Sequence, residues 1–182
     1  MLEYIILGML LDGERTGYEV RGRIEAGVGM FYRASWGSLY PTLERLAARG
    51  DVEARGEAGP GRARRFYRAT EQGRAAFDAW LREPLDDGRG NRTHLAKVYF
   101  FDRLDASARR NQLLGYEHAM ERQLAELERL AQRFGAAEDA GAHYYKMSTL
   151  WYGIGVLRES LRWCRRAREG RPFSERANEG EE

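Results

Sequence analysis

Arginine is the side chain in this sequence best suited to hold a polyanion, and it is unevenly spread. Residues 62–74 carry five arginines against one glutamate, and residues 158–171 carry six against two, although the formal net charge of the 182 residues is only +2. Lys97 and Lys146 are the only lysines. A guanidinium donates two bonds at once in a rigid fork that matches phosphate oxygens, so these local patches say more about polyanionic partners than the total charge does. A second group of polar side chains, Ser35, Trp36, Ser38, Tyr40 and Thr42, surrounds Pro41 in the stretch WGSLYPTLERL. Its hydroxyls can bond phosphates or base edges, and a helix N-terminus adds its own amides. The serines can equally cap a helix, and Thr42 can be plain surface.

Other chemistries find no support. His94, His118 and His143 fall on different predicted elements and lack the HxxxH or HExxH spacing of a metal site. Cys164 is the only cysteine, which excludes an internal disulfide and a thiolate zinc site and fits a reducing compartment. The paired carboxylates Asp86-Asp87 and Glu181-Glu182 lie in segments without a rigid frame for acid–base work. Nucleophile elbow, phosphate loop and dinucleotide fingerprint are all missing. The expectation is no enzyme, no cofactor and no metal. A composition of 43% hydrophobic and 32% charged residues fits a folded chain. No apolar run is long enough to span a bilayer, and MLEYIILGML has no basic lead and soon meets Asp12, so neither a signal peptide nor a membrane segment is expected and the chain reads as cytoplasmic.

The elements that must position these residues follow from periodicity. Residues 2–11 suit a buried helix with Leu2, Ile5, Ile6, Met9 and Leu10 on one face. Thr16 and Glu19 form a capping box for a second helix whose apolar face continues with Val20 and Ile24. Leu39, Leu43 and Leu46 define a third. Proline is tolerated in a first turn, so Ser38 is the preferred cap, with Pro41 as third helical residue; a cap at Ser35 would distort that turn. Residues 51–55 read as a weak strand, 57–61 as a turn and RRFYRAT at 64–70 as a second strand, in which one of Phe66 and Tyr67 packs inward. Thr70 caps a helix with Ala76, Phe77, Trp80 and Leu81 on its face, ended by Pro84, and DDGRGN at 86–91 reads as a linker. Beyond it lie a short helix at 94–104 and two long ones at 106–134 and 140–168. Leu113, Met120, Leu127 and Phe134 recur every seven residues in the first, and Met147, Leu150, Ile154, Leu157, Leu161 and Cys164 form a heptad seam in the second.

The fold class is therefore mainly α with a small β-hairpin wing. A winged helix-turn-helix domain at 1–85 precedes a helical dimerisation and effector domain at 92–170 and a tail at 171–182. Three stretches carry a family likeness. LEYIILGMLLDGERTGYEV, GSLYPTLERLAARGDV and RRFYRATEQGR resemble the first helix, recognition helix and wing of the PadR family of bacterial transcriptional regulators. The likeness covers about residues 2–75; beyond residue 90 it rests on helix layout and KVYFF. It implies a homodimeric repressor of genes for phenolic-acid detoxification or drug export. It carries Gly37, Ser38, Leu39, Tyr40 and Pro41 into the recognition helix, and Tyr67 and Thr70 into the wing. Trp36 departs from the smaller residue found there, which leaves two roles open, DNA contact or packing at the helix entrance.

The resulting expectation is a sequence-specific regulator that binds an inverted repeat of double-stranded DNA as a homodimer and is released by a small aromatic effector. Ser35, Trp36, Ser38, Tyr40, Thr42, Arg62, Arg64 and Arg65 are the candidate DNA contacts. Tyr144, Trp151 and Tyr152, with Tyr145, are candidate effector walls or else part of a helix–helix core. The competing reading is a protein-interaction module that reuses a winged-helix fold.

Overall fold

A computed structural model describes residues 1–32, 35–57, 64–85, 93–135 and 144–173. The expected linker at 86–91, most of the expected turn at 57–61, Arg62, the first residues of the 140–168 helix and the end of the tail lie outside these residues. The chain divides into two compact units, Met1–Asp105 and Ala106–Glu182.

The first unit is built around α1 (Leu2–Leu10), in which Ile5, Ile6, Leu7 and Leu10 are wholly buried. Burial all round, rather than on the one expected face, arises because the next three helices of the unit pack on it. β1 (Arg15–Thr16) leads into α2 (Gly17–Ala26). The capping box forms as expected: Thr16 Oγ1 accepts from the Glu19 amide at 3.3 Å, and the Glu19 carboxylate accepts from the Thr16 amide at 2.7 Å. Short 3₁₀ turns at Val28–Met30 and Trp36–Ser38 precede α3 (Leu39–Ala48). Leu39, Leu43 and Leu46 are buried together. The helix ends in a Schellman motif. The Gly50 amide donates to Ala47 O, the Asp51 amide donates to Leu46 O, and Gly50 takes the left-handed φ of +80° that only glycine adopts without strain.

β2 (Val52–Glu57) and β3 (Arg64–Ala69) form the hairpin, paired antiparallel from Val52↔Ala69 to Glu57↔Arg64. The sheet order is β1-β3-β2, so β3 is central, and the two-residue β1 pairs with it at Arg15↔Tyr67. No sequence pattern announces β1. Of the aromatic pair, Tyr67 packs inward and Phe66 lies half-buried on the other face beneath the Arg55 guanidinium. Thr70 then caps α4 (Glu71–Arg82) by accepting from the Gly73 amide, and Phe77, Trp80 and Leu81 enter the core.

The expected short helix at 94–104 is two pieces, α5 (Thr93–Val98) and a 3₁₀ turn at Phe101–Arg103. The break lets Phe100 meet Phe77 edge-on at 5.2 Å. α5 also supplies a buried lysine. Lys97 Nζ donates to Glu83 O at 3.0 Å, just past the end of α4, and sits 5.1 Å from the Trp80 ring. A cation there satisfies orphan carbonyls and the negative end of the helix dipole.

The second unit pairs α6 (Ala106–Gly135) with α7 (Tyr144–Glu169). Glu128 meets Arg158 whereas Glu117 meets Arg168, so the helices run antiparallel. Leu113, Met120 and Ala131 are buried on α6, and Ile154, Leu161 and Cys164 on α7; Met147, Leu150 and Leu157 are half-buried. The seven-residue series on α6 fails at its end. Phe134, in the last turn, is half-exposed and borders an open apolar groove with Leu127, Leu130, Met147, Leu150 and Gly153.

Candidate nucleic-acid interface

The entrance to α3 is organised by its backbone. Ser38 occupies the cap position, but its own conformation is already helical, at φ −88° and ψ −13°, and its side chain makes no capping bond. The preceding 3₁₀ turn replaces the cap. Thr42 closes the turn from within: Oγ1 donates to Ser38 O at 2.6 Å and accepts from Arg45 at 3.0 Å. Thr42 is only 1% exposed, which corrects its expected role as an outward contact. Positions 39, 42, 43 and 46 follow the i, i+3, i+4, i+7 spacing of one helix stripe, so a threonine at 42 must face the core with the leucines. Pro41 is the third residue of α3, where its missing amide proton costs no intrahelical bond.

Ser35 and Ser38 are exposed. Trp36 is half-buried at the helix entrance, with the Arg21 guanidinium of α2 over its ring at 4.8 Å. Tyr40 is 54% exposed. One edge of its ring lies against Gly17, where an added Cβ would stand 2.6 Å from Tyr40 Cε1. Glycine at the start of α2 is therefore what allows the ring its place.

Arg64 is exposed on β3 and has no hydrogen-bond or ion-pair partner among the described residues; the same holds for Arg68, four residues on along the same face. Arg65 is engaged instead. Its NH1 donates to Glu44 Oε1 on α3 at 2.7 Å, and its guanidinium lies 5.6 Å from the Tyr67 ring. Tyr67 OH donates to the same Glu44 oxygen at 3.2 Å. Burial pushes the Tyr67 phenol above its ordinary pKa; Arg65 opposes this and the Glu44 carboxylate adds to it. Nearby, the hydrogen bonds from Thr16 hold the Glu19 carboxyl below its usual value.

These elements converge on one open cleft. Thr16, Tyr18 and Glu19 from the start of α2, Tyr40 from α3, and Arg64 and Arg65 from the wing line it, with Phe66 and Tyr67 between. Sequence reasoning missed Tyr18, 79% exposed, as well as Arg21 and Glu44. The alternation of inward leucines and outward residues at 40, 44 and 48 could have found Glu44; its partners could not be found that way, because they arrive only when β3 folds beside α3.

In the second unit, Tyr144, Tyr145, Trp151 and Tyr152 are all more than half exposed. Tyr144 and Tyr145 meet edge-on at 5.3 Å. They are not part of the core between α6 and α7, and the apolar groove there is lined by none of them. Most arginines of 158–171 bond carboxylates, while Arg166 donates to Pro172 O at 2.9 Å. Arg158 meets Glu128, Arg165 meets Glu117 and Glu121, and Arg168 meets Glu117. Burial would raise the Glu117 carboxyl pKa, but the hydrogen bonds from Arg165 and Arg168 outweigh it and hold the group below its ordinary value. Among the described residues no cluster of three or more His, Cys, Asp or Glu side chains is placed to hold a metal ion, and no helix is long and apolar enough to cross a membrane.

Two family models match this chain: a transcriptional regulator PadR-like family over residues 6–79, and a virulence activator alpha C-terminal family over residues 92–170. The negative transcriptional regulator PadR of Bacillus subtilis is 30% identical over 82 residues, 44% of this chain and 45% of that protein. The transcriptional regulator Rv3488 of Mycobacterium tuberculosis is 58% identical over 46 residues, 25% of this chain and 43% of that protein. The chain thus spans about half the length of the curated relatives it matches. Among solved structures, Bacillus subtilis PadR in complex with operator DNA aligns over 92% of this chain and 97% of that one, at 20% identity and a TM-score of 0.45.

Proposed function

We propose that this chain, which belongs to the PadR-like family of transcriptional regulators, binds double-stranded DNA through the outward face of α3 and the wing and regulates transcription as a homodimer. The observation that carries this reading is the common cleft: a half-exposed Tyr40 on α3 borders the same concave surface as Arg64 and Arg65 on β3. A helix that buries its leucines and presents its other face can enter a major groove, and an exposed Arg64 beside it, with no ion pair among the described residues, suits the flanking phosphates. Ser35 and Ser38, exposed at the start of α3, fit backbone contacts there, and Arg62 belongs to the same proposal by its place in the wing sequence. Trp36 supports the entrance and carries Arg21 toward the same surface.

The name of the Bacillus subtilis relative, a negative regulator, favours repression. The exposed apolar side chains Leu130, Phe134, Trp151 and Val156 on α6 and α7 favour dimerisation through the second unit, and two copies would read an inverted repeat. The groove between Leu127 and Gly153, with a volume of about 460 Å³, suits a small apolar or aromatic effector better than the exposed tyrosines do.

Selection of bound duplexes from a random pool tests the reading. The selected sequence should bind at least about a thousandfold more tightly than a shuffled one at physiological salt, and its affinity should fall linearly on logarithmic axes as salt rises. Sedimentation at micromolar concentration should give twice the chain mass. Equal binding to selected and shuffled duplexes would sink the proposal.

A further inference from the structure

We propose that Glu44 is a specificity-determining residue, a carboxylate aimed at the exocyclic amine of a cytosine in the bound duplex. The inference rests on the reading that α3 faces DNA. Residues 40, 44 and 48 fall on the outward face of α3, and the Glu44 side chain is 48% exposed. A carboxylate on a surface meant for phosphate repels it, so Glu44 opposes affinity unless it meets a donor on the duplex in addition to Arg65 and Tyr67.

Its geometry is fixed by the wing. Arg65 NH1 at 2.7 Å and Tyr67 OH at 3.2 Å both bond Oε1, and Tyr67 is only 2% exposed, so it cannot swing away. Among the described residues no bond falls on Oε2. One oxygen is therefore held by two donors from β3 and the other is open to accept. Only cytosine offers an amine on its major-groove edge without an acceptor from the same base beside it. Adenine sets N7 next to its amine, and guanine presents two acceptors. A carboxylate that can only accept discriminates against both purines and against the O4 of thymine. The same contact leaves Arg65 next to the duplex already bonded to Glu44, so this arginine positions the carboxylate as much as it serves the backbone.

Random-pool selection with the full chain, wild type and Glu44→Gln in parallel, decides the matter. Glu44→Gln keeps the side-chain shape and an oxygen for Tyr67. The wild type should show one position per half-site where cytosine is preferred by about tenfold or more. The variant should lose that preference at that position alone, keep the others, and bind shuffled DNA several-fold more tightly for want of the negative charge. A wild type that selects an operator whose every position Glu44→Gln reproduces overturns this inference and leaves the regulator reading intact. A wild type that selects no sequence overturns both.

Discussion

The wing and the end of α7 are both rich in arginine, and they use it in opposite ways. On α7 the guanidiniums reach back to α6. Arg165 and Arg168 grip a Glu117 side chain that is only 8% exposed, and Arg158 meets Glu128. On the wing, Arg64 and Arg68 face solvent with no ion-pair partner among the described residues, whereas Arg65 is matched by Glu44 and Arg55 by Glu14. A run of like charge is thus a source of attraction for a polyanion only where its guanidiniums are left without ion pairs. The α7 arginines close theirs on α6; on β3, Arg64 and Arg68 close none among the described residues, although Glu53 stands opposite Arg68 in the ladder.

The sharpest way to break this contrast is to remove the wing charges together. Arg64→Ala, Arg65→Ala and Arg68→Ala in one chain should weaken binding to every duplex by on the order of a hundredfold and flatten the logarithmic salt slope by roughly one unit per lost phosphate contact. Titration at several salt concentrations reads both, and thermal stability should hardly move because the side chains are exposed. Next in size, Glu117→Gln should cost about 2 kcal/mol of stability in urea unfolding. That is below the range for fully buried pairs because Arg165 is half-exposed. DNA affinity below the melting transition should be unchanged. If Glu117→Gln instead weakened DNA binding at constant stability, the α7 arginines would belong to the interface and the contrast would fail.

Tyr40→Phe probes what lies beside the wing arginines. The ring contact with Gly17 survives, so melting should stay put, while operator affinity falls by about 1 kcal/mol for the lost hydroxyl. A lower melting point with normal binding would place Tyr40 in the core. The smallest effect is one of pH. The Glu117 pKa is lowered in the folded state, so below the ordinary glutamate range the unfolded chain takes up the proton first. The stability from this group is complete above that range and is lost as pH falls through the folded value. Urea midpoints measured from pH 7 to pH 3 should drop less steeply for Glu117→Gln than for the parent.

Local rules made much of this legible. The Thr16–Glu19 box, the Thr70 cap, the stop at Gly50 and the leucine stripe of α3 all depend on residues within a few positions of one another. Thr42 was misread as an outward contact, because its position on the leucine stripe outranks its polarity. β1 was not, because two residues carry no periodicity and only β3 makes them a strand. The pairing of Glu44 with Arg65 and Tyr67, and of the α7 arginines with α6, depends on distant register that no local pattern encodes. The aromatic residues at 144–152 were placed correctly on one helix, yet nothing in the helix itself says that they stay outside its core.

Cys164 closes this picture from an unexpected side. It is the only cysteine in the chain, it is buried, its thiol donates to Leu113 O at 3.3 Å, and burial pushes its pKa up to about 12. At neutral pH the thiol is then held protonated, whereas the thiolate is the form that reacts. Oxidants and alkylating reagents should therefore pass it by until α6 and α7 part. Its labelling rate becomes a clock for that parting, read from a single site without any engineered probe, and a ligand that tightens the helix pair should slow the clock in proportion to the opening it suppresses.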